Sequence, residues 1–178
     1  MNSFLAPAKC GFCLVGFMGA GKTSVGRLLA QRLGWRFSDL DEAIEAREGY
    51  CIADIFSRAG ESGFRRAEQA ALAELLTEAN GRPLVLALGG GAFVQAANAR
   101  AVRQAGLPAV FLDAPVEELR SRCAPEGAQR PLFQDEDRFR QLYELRRPDY
   151  LRADIRIETT GLTVEQVAAE IARCLGLP

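Results

Sequence analysis

Short apolar runs alternate with longer stretches of helical spacing along most of the chain. The first run, Cys13-Leu14-Val15, stops at Gly16, and a helical pattern follows over residues 22–33. Residues 35–40 read as a short second strand. Three helical stretches come next, around 42–47, 52–58 and 64–78, broken at Gly49 and Gly60. Residues 83–88 are continuously apolar, as expected of a strand covered on both faces, and Gly89, Gly90 and Gly91 close that run. A helix over 96–104 leads to a fourth strand at 109–113, after which Pro115 opens another helix. Residues 124–134 mix Pro, Gly and charge without a period and read as a mobile lid. Helix 135–151, strand 154–158 and helix 164–175 complete the chain, the last with Thr163 and Gln166 spaced as a capping box.

Strands alternating with helices imply right-handed crossovers, hence an α/β fold with a parallel five-stranded sheet and helices on both faces. No internal repeat or second core interrupts the pattern. At 178 residues the chain suits one domain over 1–178, with excursions near 40–66 and 124–134.

Composition narrows the function. A net charge of −1 and a pI near 5.7 lack the basic field that nucleic acid would require. No apolar run approaches the ~20 residues needed to span a bilayer. The apolar stretch from position 10 to 20 lacks a basic leader and runs into glycines and Lys22, so it reads as a buried strand and loop. A cytoplasmic monomer is expected. Cys10 and Cys13 form a C-x-x-C, but no second pair follows and the chain has no histidine, so the five cysteines read as small hydrophobes. Without histidine, a general base must be a carboxylate, a thiolate or the substrate itself.

The strongest chemical signal is Gly16-Phe17-Met18-Gly19-Ala20-Gly21-Lys22-Thr23, a complete G-x-x-x-x-G-K-[ST] between a strand and a helix. Its glycines let backbone N–H groups turn inward around phosphate oxygens, aided by the positive end of the helix. In such a loop Lys22 meets the β- and γ-phosphates and the Thr23 hydroxyl ligates Mg²⁺.

On the acceptor side the residues leave alternatives open. Asp39 and Asp41 would share one face of an extended stretch, one holding Mg²⁺ through water and the other accepting a proton, or they simply cap the helix after them. The glycine triplet allows close approach of a ligand, or is a plain turn. Arg65, Arg66, Arg146 and Arg147 are candidates for gripping an anionic group bidentately, and spacing does not choose among them. Arg130, in the expected lid, would reach the transferring phosphoryl, a role worth about 10³–10⁵ in rate elsewhere.

Together, LVGFMGAGKTSVG, the D-L-D at 39–41, IADIFSRAGESGFRRAE, LALGGGA, the Q-R-P-L at 129–132 and RRPDY resemble the shikimate kinase family, in family order over nearly the whole chain. The resemblance implies a three-layer P-loop kinase fold with strand order 2-3-1-4-5, and ATP and shikimate as substrates with Mg²⁺. It implies ATP contacts from Gly19, Ala20, Gly21, Lys22, Thr23, Ser24 and Arg130, and metal binding by Thr23 and Asp39. Asp41 resembles the family's hydroxyl ligand and base, with Lys22 and Arg130 as its catalytic partners. Arg65 and Arg146 resemble the carboxylate clamp, and Gly89, Gly90 and Gly91 the substrate-binding backbone. One departure is Cys123, where the family often has an arginine against adenine; Arg122 or Arg120 is the expected substitute.

Other P-loop proteins fit less well. A guanine-reading switch needs N-K-x-D, which is missing. Val110-Phe111-Leu112-Asp113 imitates the carboxylate strand of a motor, but Asp113 reads as the end of strand four that helps start the following helix. An adenylate-kinase-like enzyme should carry nucleobase-gripping sequences, which are not found. A gluconate-kinase-like sugar-acid kinase remains the nearest alternative.

Overall fold

The structure, a computed structural model, describes residues 11–79, 81–123 and 135–178. The expected lid with Arg130, and Cys10 of the C-x-x-C, lie outside the described residues.

Five strands form one parallel sheet: β1 (Gly11–Val15), β2 (Arg36–Asp39), β3 (Leu84–Ala87), β4 (Ala109–Asp113) and β5 (Ile155–Glu158), in the order β2-β3-β1-β4-β5. Every residue of β1, β3 and β4 is buried. Alternate side chains of a strand face opposite ways, so burial at every position means that helices cover both faces. The result is the expected three-layer sandwich. The edge strands β2 and β5 are only partly buried, which matches their weaker apolar runs.

The helices are α1 (Lys22–Leu33), α2 (Leu40–Glu48), α3 (Ile52–Ala79), α4 (Ala96–Gln104), α5 (Val116–Cys123), α6 (Glu136–Tyr150) and α7 (Val164–Leu175). The capping box before α7 is formed: Thr163 Oγ1 accepts from Gln166 N at 3.3 Å and Gln166 Oε1 accepts from Thr163 N at 2.8 Å. The two helices expected either side of Gly60 are one element, α3, with Gly60 itself non-helical at φ 65° and ψ −176°. That positive φ is open to glycine and strained for other residues, so the break read at Gly60 survives as a kink. No helix among the described residues is long and apolar enough to cross a membrane.

Register places the functional segments on one edge. Asp39 stands level with Ala87 on β3, and Ala87 is level with Leu14 on β1. The turn after β2, the glycine triplet after β3 and the phosphate loop after β1 therefore leave the sheet side by side, with the triplet in the middle. The carboxyl edge of an open α/β sheet is where ligands bind.

Candidate active site

The phosphate loop needs its glycines for shape. Gly16, Gly19 and Gly21 have φ of 144°, 79° and 84°. A Cβ on Gly19 would lie 2.4 Å from Leu119 O and 2.8 Å from Cys123 Sγ, so the loop packs tightly against α5. Gly21 precedes α1 and supplies no side-chain cap, leaving the first-turn N–H groups to a ligand. Lys22 Nζ donates to Gly16 O and Phe17 O, both at 2.9 Å.

Asp39 caps the helix after it and also reaches the phosphate loop. Its Oδ1 accepts from Asp41 N at 3.0 Å and so caps α2. Its Oδ2 accepts from Thr23 Oγ1 at 2.8 Å, joining β2 to the phosphate loop. The strand ends at Asp39 and α2 begins at Leu40, so Asp41 sits in the first turn of a helix rather than on the expected extended stretch. It faces the triplet nonetheless: a Cβ on Gly89 would lie 2.3 Å from Asp41 Oδ1. Burial, and then the charge of Asp39, push the Asp41 carboxyl up to about 6, with Lys22 pulling the other way.

The candidate arginines are placed differently. A Cβ on Gly91 would lie 2.9 Å from both terminal nitrogens of Arg65 and 3.3 Å from Arg146 Nη2. A Cβ on Gly90 would be 3.6 Å from Arg146 Nη1, 3.7 Å from Met18 N and 3.8 Å from Gly16 O. The triplet thus touches the phosphate loop on one side and two guanidiniums on the other. Arg66 is exposed on α3. Arg147 turns away, donating to Asp113 Oδ2 at 2.7 Å.

Asp113, expected to help start the next helix, instead has its buried carboxylate held by two arginines, Arg147 and Arg156, the latter donating from Nε at 2.8 Å. The expected substitutes at the adenine side are engaged elsewhere. Arg122 donates to Thr159 O at 2.9 Å and pairs with Glu118 at 2.5 Å, and Arg120 pairs with Glu136 at 3.0 Å.

Three residues given no role in the sequence reading support the site. Glu68, 1% exposed, accepts from Arg65 Nη1 with both oxygens at 3.0 Å. Buried Asn98 donates to Glu68 Oε2 at 3.2 Å and to Ala92 O at 3.1 Å, tying the pair to the segment after the triplet. Burial pushes the Glu68 carboxyl above its ordinary range while Arg65 opposes the shift. Arg65 Nε is buried without a hydrogen-bond partner among the described residues, an orphaned cationic donor of the kind an anion satisfies. Tyr150 OH donates to Gly90 O. The helical spacings of Glu68 (three after Arg65) and Tyr150 (four after Arg146) are the signal that could have found them.

The described residues contain no cluster of three or more His, Cys, Asp or Glu able to hold a metal. The oxygens of Thr23 and Asp39 nevertheless fit Mg²⁺, which commonly takes one or two protein oxygens and completes its shell with water and phosphate.

The chain is similar to known proteins over most of its length. The shikimate kinase family model matches residues 18–176. A shikimate kinase of Persephonella marina is 40% identical over 158 residues, covering 89% of this chain and 94% of its own length. One from Symbiobacterium thermophilum is 45% identical over 163 residues, covering 89% and 91%. Among solved structures, shikimate kinase from Acinetobacter baumannii in complex with shikimate superposes with a TM-score of 0.84 at 40% identity, covering 96% of this chain and 93% of that one.

Proposed function

This chain belongs to the shikimate kinase family, and from that premise we propose that it transfers the γ-phosphoryl of ATP to the 3-hydroxyl of shikimate, giving shikimate 3-phosphate and ADP. One observation carries the reading. The glycine triplet lies within contact of the phosphate loop, of Asp41 and of the Arg65 and Arg146 guanidiniums. A hydroxy acid laid on that backbone has its carboxylate at the arginines and a hydroxyl at Asp41, beside the place where phosphates bind.

The residues then divide the work. Gly19, Ala20, Gly21, Ser24 and the first turn of α1 supply N–H donors to the phosphates. Lys22 exchanges its two loop carbonyls for phosphate oxygens. Arg65 and Arg146 hold the carboxylate, with Glu68 fixing the Arg65 fork. Asp41 orients the acceptor hydroxyl and takes its proton as the new O–P bond forms and the β–γ bridging bond breaks. A carboxyl titrating at about 6 is ionised near neutrality yet more basic than an ordinary aspartate, which suits that role. Thr23 and Asp39 would hold Mg²⁺, which when bound neutralises phosphate charge. Arg130 is assigned to the transferring phosphoryl. Phosphoryl transfer has a loose transition state, so positioning and charge neutralisation supply most of the acceleration.

The test is ADP release from Mg-ATP with shikimate, gluconate or nucleoside monophosphates as acceptor. Turnover with shikimate well above the others is expected. Turnover with gluconate alone would reassign the acceptor to a sugar acid, and none with any hydroxy acid would refute the kinase reading.

A further inference from the structure

Tyr150 ends α6 fully buried, its ring tilted at 33° to that of Phe111 with centroids 5.3 Å apart. A tyrosine hydroxyl in a core needs a partner, and this one finds a backbone carbonyl of the active site, Gly90 O, rather than a structural helix or strand. Burial pushes its ionisation well above the usual tyrosine range, so the hydroxyl keeps its proton and remains a donor. Arg146, one helical turn earlier, bears electrostatically on the same hydroxyl and opposes that shift.

A trans peptide is planar, with its C=O and N–H pointing in opposite directions. The structure contains no cis peptide among the described residues. Drawing Gly90 C=O inward to Tyr150 therefore turns the Gly91 N–H outward. No backbone acceptor among the described residues takes that N–H, and a Cβ on the same residue would meet Arg65 and Arg146. With no side chain on either flank, the Gly90–Gly91 peptide is free to rotate, and the Tyr150 hydroxyl holds its carbonyl from the core.

We propose that Tyr150 is a positioning residue of the acceptor site, its hydroxyl locking the Gly90–Gly91 peptide so that Gly91 N–H joins Arg65 and Arg146 in holding the acceptor's carboxylate. The proposal rests on the acceptor site assigned above.

Tyr150→Phe keeps the ring against Phe111 and removes only the hydroxyl. With shikimate as acceptor, its KM and its dissociation constant should rise about tenfold, as expected for losing one ordered hydrogen bond and the orientation it imposes. The KM for ATP and kcat should stay within about twofold. Measured well below the melting temperature, this split separates positioning from general loosening of the core, which would move both substrates together. Parallel changes in both KM values, or an unchanged acceptor KM, would overturn the proposal. Arg146→Lys serves as the control. If it weakens acceptor binding while Tyr150→Phe does not, the tyrosine assignment alone falls; if neither does, the acceptor site falls and the tyrosine assignment with it.

Discussion

Gly89→Ala tests the arrangement of base and glycine triplet by adding a single methyl group. The Gly89 backbone lies outside the left-handed region, so alanine brings no conformational strain. Its Cβ would nevertheless lie 2.3 Å from Asp41 Oδ1, where contacts below 3.0 Å essentially never occur and ordinary contact begins at 3.4 Å. The carboxylate must therefore retreat by about 0.7–1.1 Å. The obstructing atom is the end of a side chain, not backbone, so rotation of Asp41 absorbs the clash and the fold survives. A misplacement of about 1 Å at a reacting group costs on the order of 10²-fold in rate. Coupled ADP-release kinetics should show kcat reduced by about that factor, with the KM for ATP unaltered and the melting temperature within a few degrees of the parent. Gly91→Ala, whose Cβ would press on the Arg65 guanidinium at 2.9 Å, should raise the acceptor KM instead. Wild-type kcat in Gly89→Ala would mean that the Asp41 carboxylate does not take the proton from where it stands.

The Asp41 carboxyl, raised to about 6, must be ionised to accept a proton, so activity should be full above that pH and lost on acidification. The acceptor kcat/KM should fall about tenfold per pH unit below about 6; a flat profile between about pH 5 and 8 removes Asp41 as the base. Lys22→Ala should abolish transfer while circular dichroism and melting stay near the parent, because the bonds of Lys22 to Gly16 O and Phe17 O lie within the loop itself; residual activity above about 1% of wild type would contradict its role. Arg146→Lys should raise the acceptor KM about tenfold or more through loss of the fork. Arg147→Lys should leave that KM alone and cost about 1–2 kcal/mol of stability at Asp113, read by denaturant unfolding; the reverse pattern would mean that the two arginines have been exchanged.

Much of this site was legible in the chain because much of it is local. The phosphate loop lies within eight consecutive residues, and its glycines dictate the backbone that builds the nest. The alternation of strand and helix followed from apolar periodicity, the α7 cap from two residues three apart, and the α3 kink from one glycine. Family motifs go further and mark Arg65, Arg146 and Asp41.

Partnership was not legible. Asp39 could be read as a cap or as a site carboxylate, and only the fold puts one of its oxygens on the helix cap and the other on Thr23 of the phosphate loop, sixteen residues away. Arg146 and Arg147 are adjacent and chemically identical, yet one reaches the glycine triplet and the other reaches Asp113 across 34 residues. Successive helix positions point about 100° apart, so the phase of α6 against the sheet makes that choice. Tyr150 and Gly90 are 60 residues apart. The short apolar runs settle which central segments are strands, because burial on both faces is a local demand. Which strand lies between which is set by packing of the whole chain, and the order β2-β3-β1 is what brings the triplet between Asp41 and the phosphate loop.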